Sequence, residues 1–512
     1  MKANRLLAIG LDGASWSIID PLIKEGKLKN ISRCIANGNR ASLKSTIPYL
    51  TPPAWSSIFS GVNPGKHGMF DFISIDEEGK RQIVTARNMH ADYIWEMLNG
   101  ENVLGINIPM IYPIRYSGNA KLVAGFGCPD RKLKFTSDEK LKQEIFDIEP
   151  NYEIDIPDMD LIFKNNRKEV SRRISANLEM KKRVAGHLLK NKEWELGIIV
   201  FSAPDWIQHF FMKEFEESEG KSDTKIAKIY ESIDEFIGKI DSKIDVIIIS
   251  DHGFKTVGKK LFLNSYLKDK GYLKLKNEKV LKRIFRRMGI TREKIKNLWF
   301  VRKLVGSYYV SMKSSEKARK KSSVIKSILP GENMKYEDID AEKSNAWLFS
   351  KEGGIYVKNT DILEKLIDDL YKLNKILGKK AIKKVWKREE LYFGSYVQTA
   401  PHLLVELNGD IQLEEEIKTN YTENISENER NGNHDLEGIF ISCGKNFSTK
   451  KDIDTLSVND ITPLILHYFG YELPDNLDGR IPFIFSEDIK AEKKVKKTGT
   501  IRKLVKKLKK AC

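Results

Sequence analysis

Arg5-Leu-Leu-Ala-Ile-Gly-Leu-Asp12 is an aliphatic run that ends in an aspartate. The same design returns in Gly197-Ile-Ile-Val-Phe-Ser-Ala-Pro-Asp205 and in Asp245-Val-Ile-Ile-Ile-Ser-Asp251. Runs of four to eight aliphatic, largely β-branched residues suit strands covered on both faces, and an open α/β sheet binds ligands beyond the carboxyl ends of its strands. The fold class is therefore α/β, with a central, mostly parallel sheet flanked by helices and three acidic strand ends on one rim. Two further runs, Asn102-Val-Leu-Gly-Ile-Asn-Ile108 and Ala120-Lys-Leu-Val-Ala-Gly-Phe126, read as strands of the same sheet.

Histidines accompany two of these aspartates. Asp205 and His209 are four residues apart, which on a helical turn sets both side chains on one face, and Asp251-His252 is an adjacent pair in a loop. Carboxylate with imidazole is the mixture that zinc and similar ions take. One such aspartate alone reads equally as the cap of the helix after its strand; three of them with their histidines read as metal ligands.

Tyr49-Leu-Thr-Pro-Pro-Ala-Trp-Ser-Ser-Ile-Phe59 supplies a nucleophile. Thr51 is a good N-cap and Pro52 suits the first helical position, where its missing N–H costs nothing. The Thr51 hydroxyl then leaves a helix N-terminus that favours an anion, and a metal can activate such a hydroxyl to attack phosphorus. Taken without its neighbours, Thr51 is simply a cap.

On these segments the chain resembles the type I phosphodiesterase/nucleotide pyrophosphatase branch of the alkaline phosphatase superfamily. The family's Asp-Gly matches Asp12-Gly13, its Thr-x-Pro matches Thr51-Pro52-Pro53, and its later landmarks match Gly61, Pro64 and His67-Gly68. Asp205 with His209, Asp251-His252-Gly253, His434-Asp-Leu-Glu-Gly-Ile-Phe440, Asp460-Ile-Thr-Pro463 and Asp478-Gly-Arg480 complete an ordered set spanning residues 5 to 480. The resemblance implies an alkaline-phosphatase-like fold and two divalent ions, zinc before manganese, iron or cobalt. Asp205, His209 and His434 would hold one ion; Asp12, Asp251, His252 and the Thr51 oxygen would hold the other. It also implies attack by Thr51, a phosphothreonine intermediate and its hydrolysis, on a small phosphodiester or nucleotide substrate.

Two positions depart from the family pattern. Relatives bind the remaining phosphate oxygen with the N–H after the nucleophile and an amide side chain three positions on, where this chain has Pro52 and Ala54. The backbone N–H groups of Ala54 and Trp55 are the expected replacements. His402 stands where relatives often carry an acid, and reads as a structural residue on a loop entering a strand. His67 reads as a turn residue or a support for the ligands, whereas His90, His187 and His467 read as ordinary helix positions.

With 512 residues and 41% hydrophobic content the chain can bury a large core. Its four cysteines show neither paired metal spacing nor a disulfide framework, and no stretch reaches about 18 consecutive apolar residues, so a cytosolic protein is expected. The expected organisation is a discontinuous catalytic domain over 1–265 and 341–486, a basic inserted cap over 266–340 and a basic amphipathic tail over 487–512. Residues 130–165 read as a lid or a surface excursion, and 166–192 as a helix. The insert mixes cationic and large apolar side chains, either to gather an anionic substrate or as a solvated helical excursion. From Ile489 to Cys512 there are eleven Lys/Arg against one acidic residue, much of the net charge of +17. Ile501, Leu504, Val505 and Leu508 follow helical spacing there, so peripheral contact with an anionic membrane face stands beside a disordered solubilising tail. No specific nucleic-acid surface is expected. The rival activities are a phosphomonoesterase or phosphoglycerate-mutase-like enzyme on the same fold, and a non-catalytic protein that binds anionic surfaces.

Overall fold

The computed structural model describes residues 5–76, 80–98, 100–115, 118–276, 334–378, 380–449, 451–486 and 492–495. Most of the expected basic insert and of the C-terminal tail lie outside these residues. The described chain forms two compact units, one comprising residues 1–259, 383–411 and 424–512 and the other 260–382 and 412–423.

A nine-stranded sheet organises the first unit. Its strands in chain order are β1 (Leu6–Leu11), β2 (Gly38–Lys44), β3 (Val103–Ile108), β4 (Lys121–Ala124), β5 (Leu196–Phe201), β6 (Asp245–Ile249), β7 (Glu437–Cys443), β8 (Lys451–Asp452) and β9 (Leu456–Ser457). Their spatial order is β8-β2-β7-β6-β1-β5-β3-β4, with β9 also beside β2. β1 lies parallel between β5 and β6, pairing Gly10 with Val200 and with Ile249. Only β7 runs antiparallel to its neighbours. β1, β3, β5 and β6 are buried along their whole length, which is why their sequences are unbroken apolar runs rather than alternating ones.

Helices flank this sheet, among them Arg167–Asn191, which matches the expected 166–192. Residues 130–165 are not a loose excursion. Phe135, Tyr152 and Phe163 are fully buried there, with Phe135 stacked on Tyr152 at 5.6 Å, and short helices span Glu139–Ile148 and Met159–Asn165. The acidic surface residues concealed these few large apolar anchors. A separate antiparallel pair, Gly253–Thr256 with Gly432–Asp435, sits beyond β6 and pairs His434 with Phe254.

The second unit contains the helices Leu263–Asp269 and Leu363–Ile376 and the paired strands Ala346–Leu348 and Gly354–Val357. Tyr266 and Tyr272 donate to Asp369, to its carbonyl at 2.6 Å and its carboxylate at 2.7 Å. This unit extends through residues 341–382, beyond the 266–340 expected for the insert. Among the described residues no helix is long and apolar enough to cross a membrane, and Cys34, Cys128 and Cys443 are free thiols.

Candidate metal centre and nucleophile

Asp12 follows β1 directly, and Asp251 follows β6 by one residue. Because β1 and β6 are parallel neighbours, both carboxylates reach the same rim. The Gly13 N–H donates to Asp251 at 3.2 Å, while the Asp12 N–H donates to the Phe201 carbonyl at 3.1 Å. Gly13 has φ +69°, a left-handed turn for which glycine is suited. Gln208 holds this turn from below, donating to the Gly13 carbonyl at 2.8 Å and accepting from the Tyr230 hydroxyl at 2.6 Å. The sequence did not reveal this contact of Gln208, although the residue lies immediately before His209 on a helix that already carried two candidates.

Asp205 stands in the first turn of the helix Ala203–Glu217, where the dipole favours a carboxylate, and His209 one turn later. The strand Gly432–Asp435 brings in His434 from the far end of the chain. His434 Nε2 is 3.1 Å from Asp205 Oδ1 and 3.3 Å from His209 Nε2, and His209 Nε2 is 3.4 Å from Asp205 Oδ1. On the other side His252 Nε2 lies 3.3 Å from Asp251 and 3.6 Å from Asp12. The two groups meet through the rings of His252 and His434, stacked at 3.8 Å.

Each histidine is oriented by its second nitrogen. Nδ1 faces a carbonyl in all three: Gly432 for His209 at 3.0 Å, Gly253 for His252 at 3.1 Å and Tyr49 for His434 at 3.2 Å. A carbonyl can only accept, so Nδ1 carries the proton and Nε2 keeps its lone pair, as in metal-ligating histidines. Burial drives the imidazoles toward neutrality, pushing His252 down to about 3 and His209 well below its ordinary value. Burial also raises Asp251 to about 7 and Asp12 well above the carboxylate range, with Asp251 and Asp205 adding to the rise at Asp12. Burial would raise Asp205 too, but His209 and His434 outweigh it and hold its carboxyl low. That would require protons on imidazoles which burial and geometry keep neutral. A cation between the groups would let these carboxylates ionise beside neutral imidazoles.

The donor set fits divalent ions by a direct criterion. Asp12 Oδ1, Asp251 Oδ2 and His252 Nε2 are buried with no hydrogen-bond partner among the described residues, a cost that natural interiors rarely leave unmet. Ligand atoms of Asp12, Asp251 and His252 lie within 4.8 Å of one another, as do those of Asp205, His252 and His434.

Thr51 is buried at the start of the helix Thr51–Ser60. It is the first helical residue, not the N-cap; Leu50, extended at φ −142° and ψ 145°, occupies that position. The shift corrects the expected phosphate donors. The Ala54 N–H donates to the Leu50 carbonyl at 3.0 Å, and Trp55 lies one turn inside the helix, where its N–H belongs to the helical ladder. Of the three helical positions ahead of Ala54, two are prolines, so only the N–H of Thr51 itself is left without a place in that ladder.

The other histidines are placed as follows. His67 ends a short helix, Pro64–His67, and is fully buried. His187 and His467 lie in helices as expected. His90 does not: it follows the short 3₁₀ turn Ala86–Asn88 and stacks on Tyr396 at 3.9 Å. His402 immediately precedes the strand Leu403–Leu407, in agreement with a loop entering a strand.

The model of the type I phosphodiesterase/nucleotide pyrophosphatase family matches residues 6–359. The chain belongs to this family. Members hydrolyse phosphoric esters, and the sheet described above is that of the alkaline phosphatase superfamily. Among solved structures, murine ectonucleotide pyrophosphatase/phosphodiesterase 5 is 13% identical, with 93% of this chain and 98% of that chain covered at a TM-score of 0.51. The human protein of that name is also 13% identical, with 94% and 100% covered at 0.52. Phosphonoacetate hydrolase from Sinorhizobium meliloti, solved with phosphonoacetate, is 13% identical, with 86% and 90% covered at 0.53. These likenesses establish the shared fold. No curated protein sequence matches the chain.

Proposed function

We propose that this family member hydrolyses phosphodiester or nucleotide pyrophosphate bonds with Thr51 as nucleophile, through a phosphothreonine intermediate, and that it uses two divalent ions, zinc first among them. The observation that carries the reading is the set of three histidines whose Nδ1 atoms face carbonyls while their Nε2 atoms face Asp12, Asp205 and Asp251. Asp205, His209 and His434 would hold one ion, and Asp12, Asp251, His252 and the Thr51 oxygen the other. When bound, such ions stabilise charge on phosphoryl oxygens and favour the ionised form of a coordinated hydroxyl.

The chain supplies alignment. His434 fixes the segment before Thr51 through Tyr49, and the helix start fixes Thr51 itself. Thr51 Oγ1 gives up its proton and forms the new P–O bond as one ester oxygen leaves and gains a proton; water then breaks the bond from phosphorus to Oγ1, releasing the phosphomonoester and restoring the hydroxyl. With prolines at 52 and 53, the Thr51 N–H is the backbone donor left at this helix end for a non-bridging oxygen. Murine ectonucleotide pyrophosphatase/phosphodiesterase 5 has been solved with AMP, which supports a nucleotide among the substrates. We place the protein in the cytosol.

Purified protein with zinc or manganese should cleave a nitrophenyl phosphodiester in preference to the monoester, and the Thr51→Ala protein should not. Undiminished turnover by that variant rejects the mechanism, and faster monoester turnover makes the protein a phosphomonoesterase.

A further inference from the structure

The helix Ala203–Glu217 carries Asp205 and His209, and the strand Gly432–Asp435 carries His434. Asn431, immediately before that strand, is 7% exposed and uses every polar group it has where the two elements meet. Its backbone N–H donates to the His209 carbonyl at 2.9 Å, its Oδ1 accepts from the Lys213 N–H at 3.1 Å, and its Nδ2 donates to the Phe210 carbonyl at 3.1 Å. Its own carbonyl accepts from the Val257 N–H at 2.8 Å, one residue beyond the paired strand Gly253–Thr256. His209 and Lys213 are four apart, so their carbonyl and N–H are the pair that an α-helix ordinarily joins. Here both engage Asn431, which is set into the helical ladder at the turn that begins with His209. Gly432 continues the junction. Its carbonyl faces His209 Nδ1 at 3.0 Å, and a Cβ built on it would stand 2.2 Å from the Gln208 carbonyl oxygen, so strand and helix meet backbone to backbone. His434 follows two residues later, its Nε2 3.3 Å from His209 Nε2.

We propose that Asn431 is a positioning residue for the ion assigned to Asp205, His209 and His434: it clamps the His434 strand onto the His209 helix and so fixes the spacing of the two imidazoles. This rests on the reading of those three residues as metal ligands. Asparagine suits the task because its short stem carries a donor and an acceptor together, which here meet a carbonyl and an N–H of one helical turn. Alanine offers neither group. Aspartate would set a second acceptor against the Phe210 carbonyl, and glutamine adds a methylene where strand and helix are already in contact. The clamp also acts unequally on its two partners. When the side chain is removed, the Lys213 N–H can return to the His209 carbonyl, which has a second lone pair, and the helix closes its own ladder. The strand loses its side-chain hold on that helix, and with it the alignment of the Gly432 carbonyl on His209 Nδ1.

The test compares Asn431→Ala with Asn30→Ala. The control removes two side-chain hydrogen bonds to Asp234, at 2.9 and 3.0 Å, that join a different pair of helices, Lys29–Ala36 and Lys225–Gly238. Zinc binding to the metal-free proteins is followed by calorimetric titration, with thermal melting of the same samples. Asn431→Ala should bind one ion about 10–100-fold more weakly, as when an outer partner of a ligand is lost, and the other with unchanged affinity. The weakened ion should be the one that His434→Ala lacks. Asn431→Ser, which keeps an acceptor for the Lys213 N–H, should fall between Asn431→Ala and wild-type. Asn30→Ala should melt lower than wild-type yet bind both ions equally well, which separates positioning from loss of stability. Wild-type affinity at both ions in Asn431→Ala, an equal loss at both, or the same loss in Asn30→Ala overturns the proposal and leaves Asn431 a structural tie. A wild-type protein that binds no metal overturns instead the reading of the ligands on which the proposal rests.

Discussion

His434 Nδ1 donates to the Tyr49 carbonyl at 3.2 Å, so a residue near the C-terminal end of the chain orients itself on the backbone two residues before Thr51. The proposed ligand and nucleophile segments are thereby joined, although 385 positions separate them. Nε2 of the same ring meets Asp205 at 3.1 Å.

His434→Ala should therefore have two separable effects. Metal analysis should show the loss of one ion per chain, and phosphodiester turnover should fall by about 10²–10³, the range that removal of one such electrostatic contribution costs. Circular dichroism should be unchanged, because the strand pairing of Gly432–Asp435 with Gly253–Thr256 uses backbone groups. Full metal content in the variant would remove His434 from the ligand set.

Asp12 Oδ1, Asp251 Oδ2 and His252 Nε2, without hydrogen-bond partners among the described residues, make the metal-free protein carry a desolvation cost that a bound ion would relieve. Divalent ions at 100 times their dissociation constant should raise the unfolding free energy by about 2.7 kcal/mol per site, seen as a higher melting temperature. Asp251→Asn removes one buried acid from a cluster of three. It should melt no lower than wild-type when metal-free, and it should lose much of the metal-induced rise. An equal rise in both proteins would show that Asp251 does not bind the ion.

His67 is fully buried. Its Nδ1 accepts from the Met69 N–H at 3.0 Å, so Nε2 carries the proton and donates to the Ser57 hydroxyl at 3.0 Å. It thus braces the helix that bears Thr51. Burial, assisted by His90, pushes it from 6.5 down to about 3. Between these values the unfolded chain binds a proton that the native chain does not, so stability falls as pH drops from 6.5 toward 3, by about 1.4 kcal/mol per pH unit. His67→Gln keeps a donor without a titrating ring. It should cost about 1–3 kcal/mol at pH 8 and show a shallower decline below pH 6.5 in urea denaturation. Parallel pH profiles would refute this.

Much of the site is legible in the sequence because its information is local. The buried strands show as unbroken aliphatic runs, and Asp205 with His209 shows as a helical spacing. What escaped depends on contacts between distant segments. Gln208 holds the turn after β1 only because β1 delivers Gly13 to it, and the Trp55 ring packs on β1 only because Gly10 leaves room there. The helix start was misplaced by one residue because Thr51 suits a cap chemically, whereas the extended Leu50 and the consecutive prolines set the boundary. That single residue decided the fate of the Ala54 N–H.

Lys181 offers a pH dependence of the same sign in a higher window, far from any proposed ligand in sequence. It is 6% exposed, donates from Nζ to the Tyr152 hydroxyl at 2.8 Å, and Tyr152 donates to Asn107 at 2.6 Å. Burial pushes its ammonium from 10.5 down to about 7, against the opposing pull of Asp155 and Glu153. Between pH 7 and 10.5 the unfolded chain holds a proton that the native chain has released, so this group makes stability rise with pH across that window. Below pH 7 both states are protonated and the cost of burying the charge is present in full. Lys181→Met preserves most of the side-chain volume and removes the charge. It should be more stable than wild-type by up to a few kcal/mol below pH 7, with the advantage shrinking steadily toward pH 10.5. Urea denaturation of both proteins at pH 6, 8 and 10 measures this; an advantage that grows with pH would show that the buried ammonium stabilises the fold through its acidic neighbours.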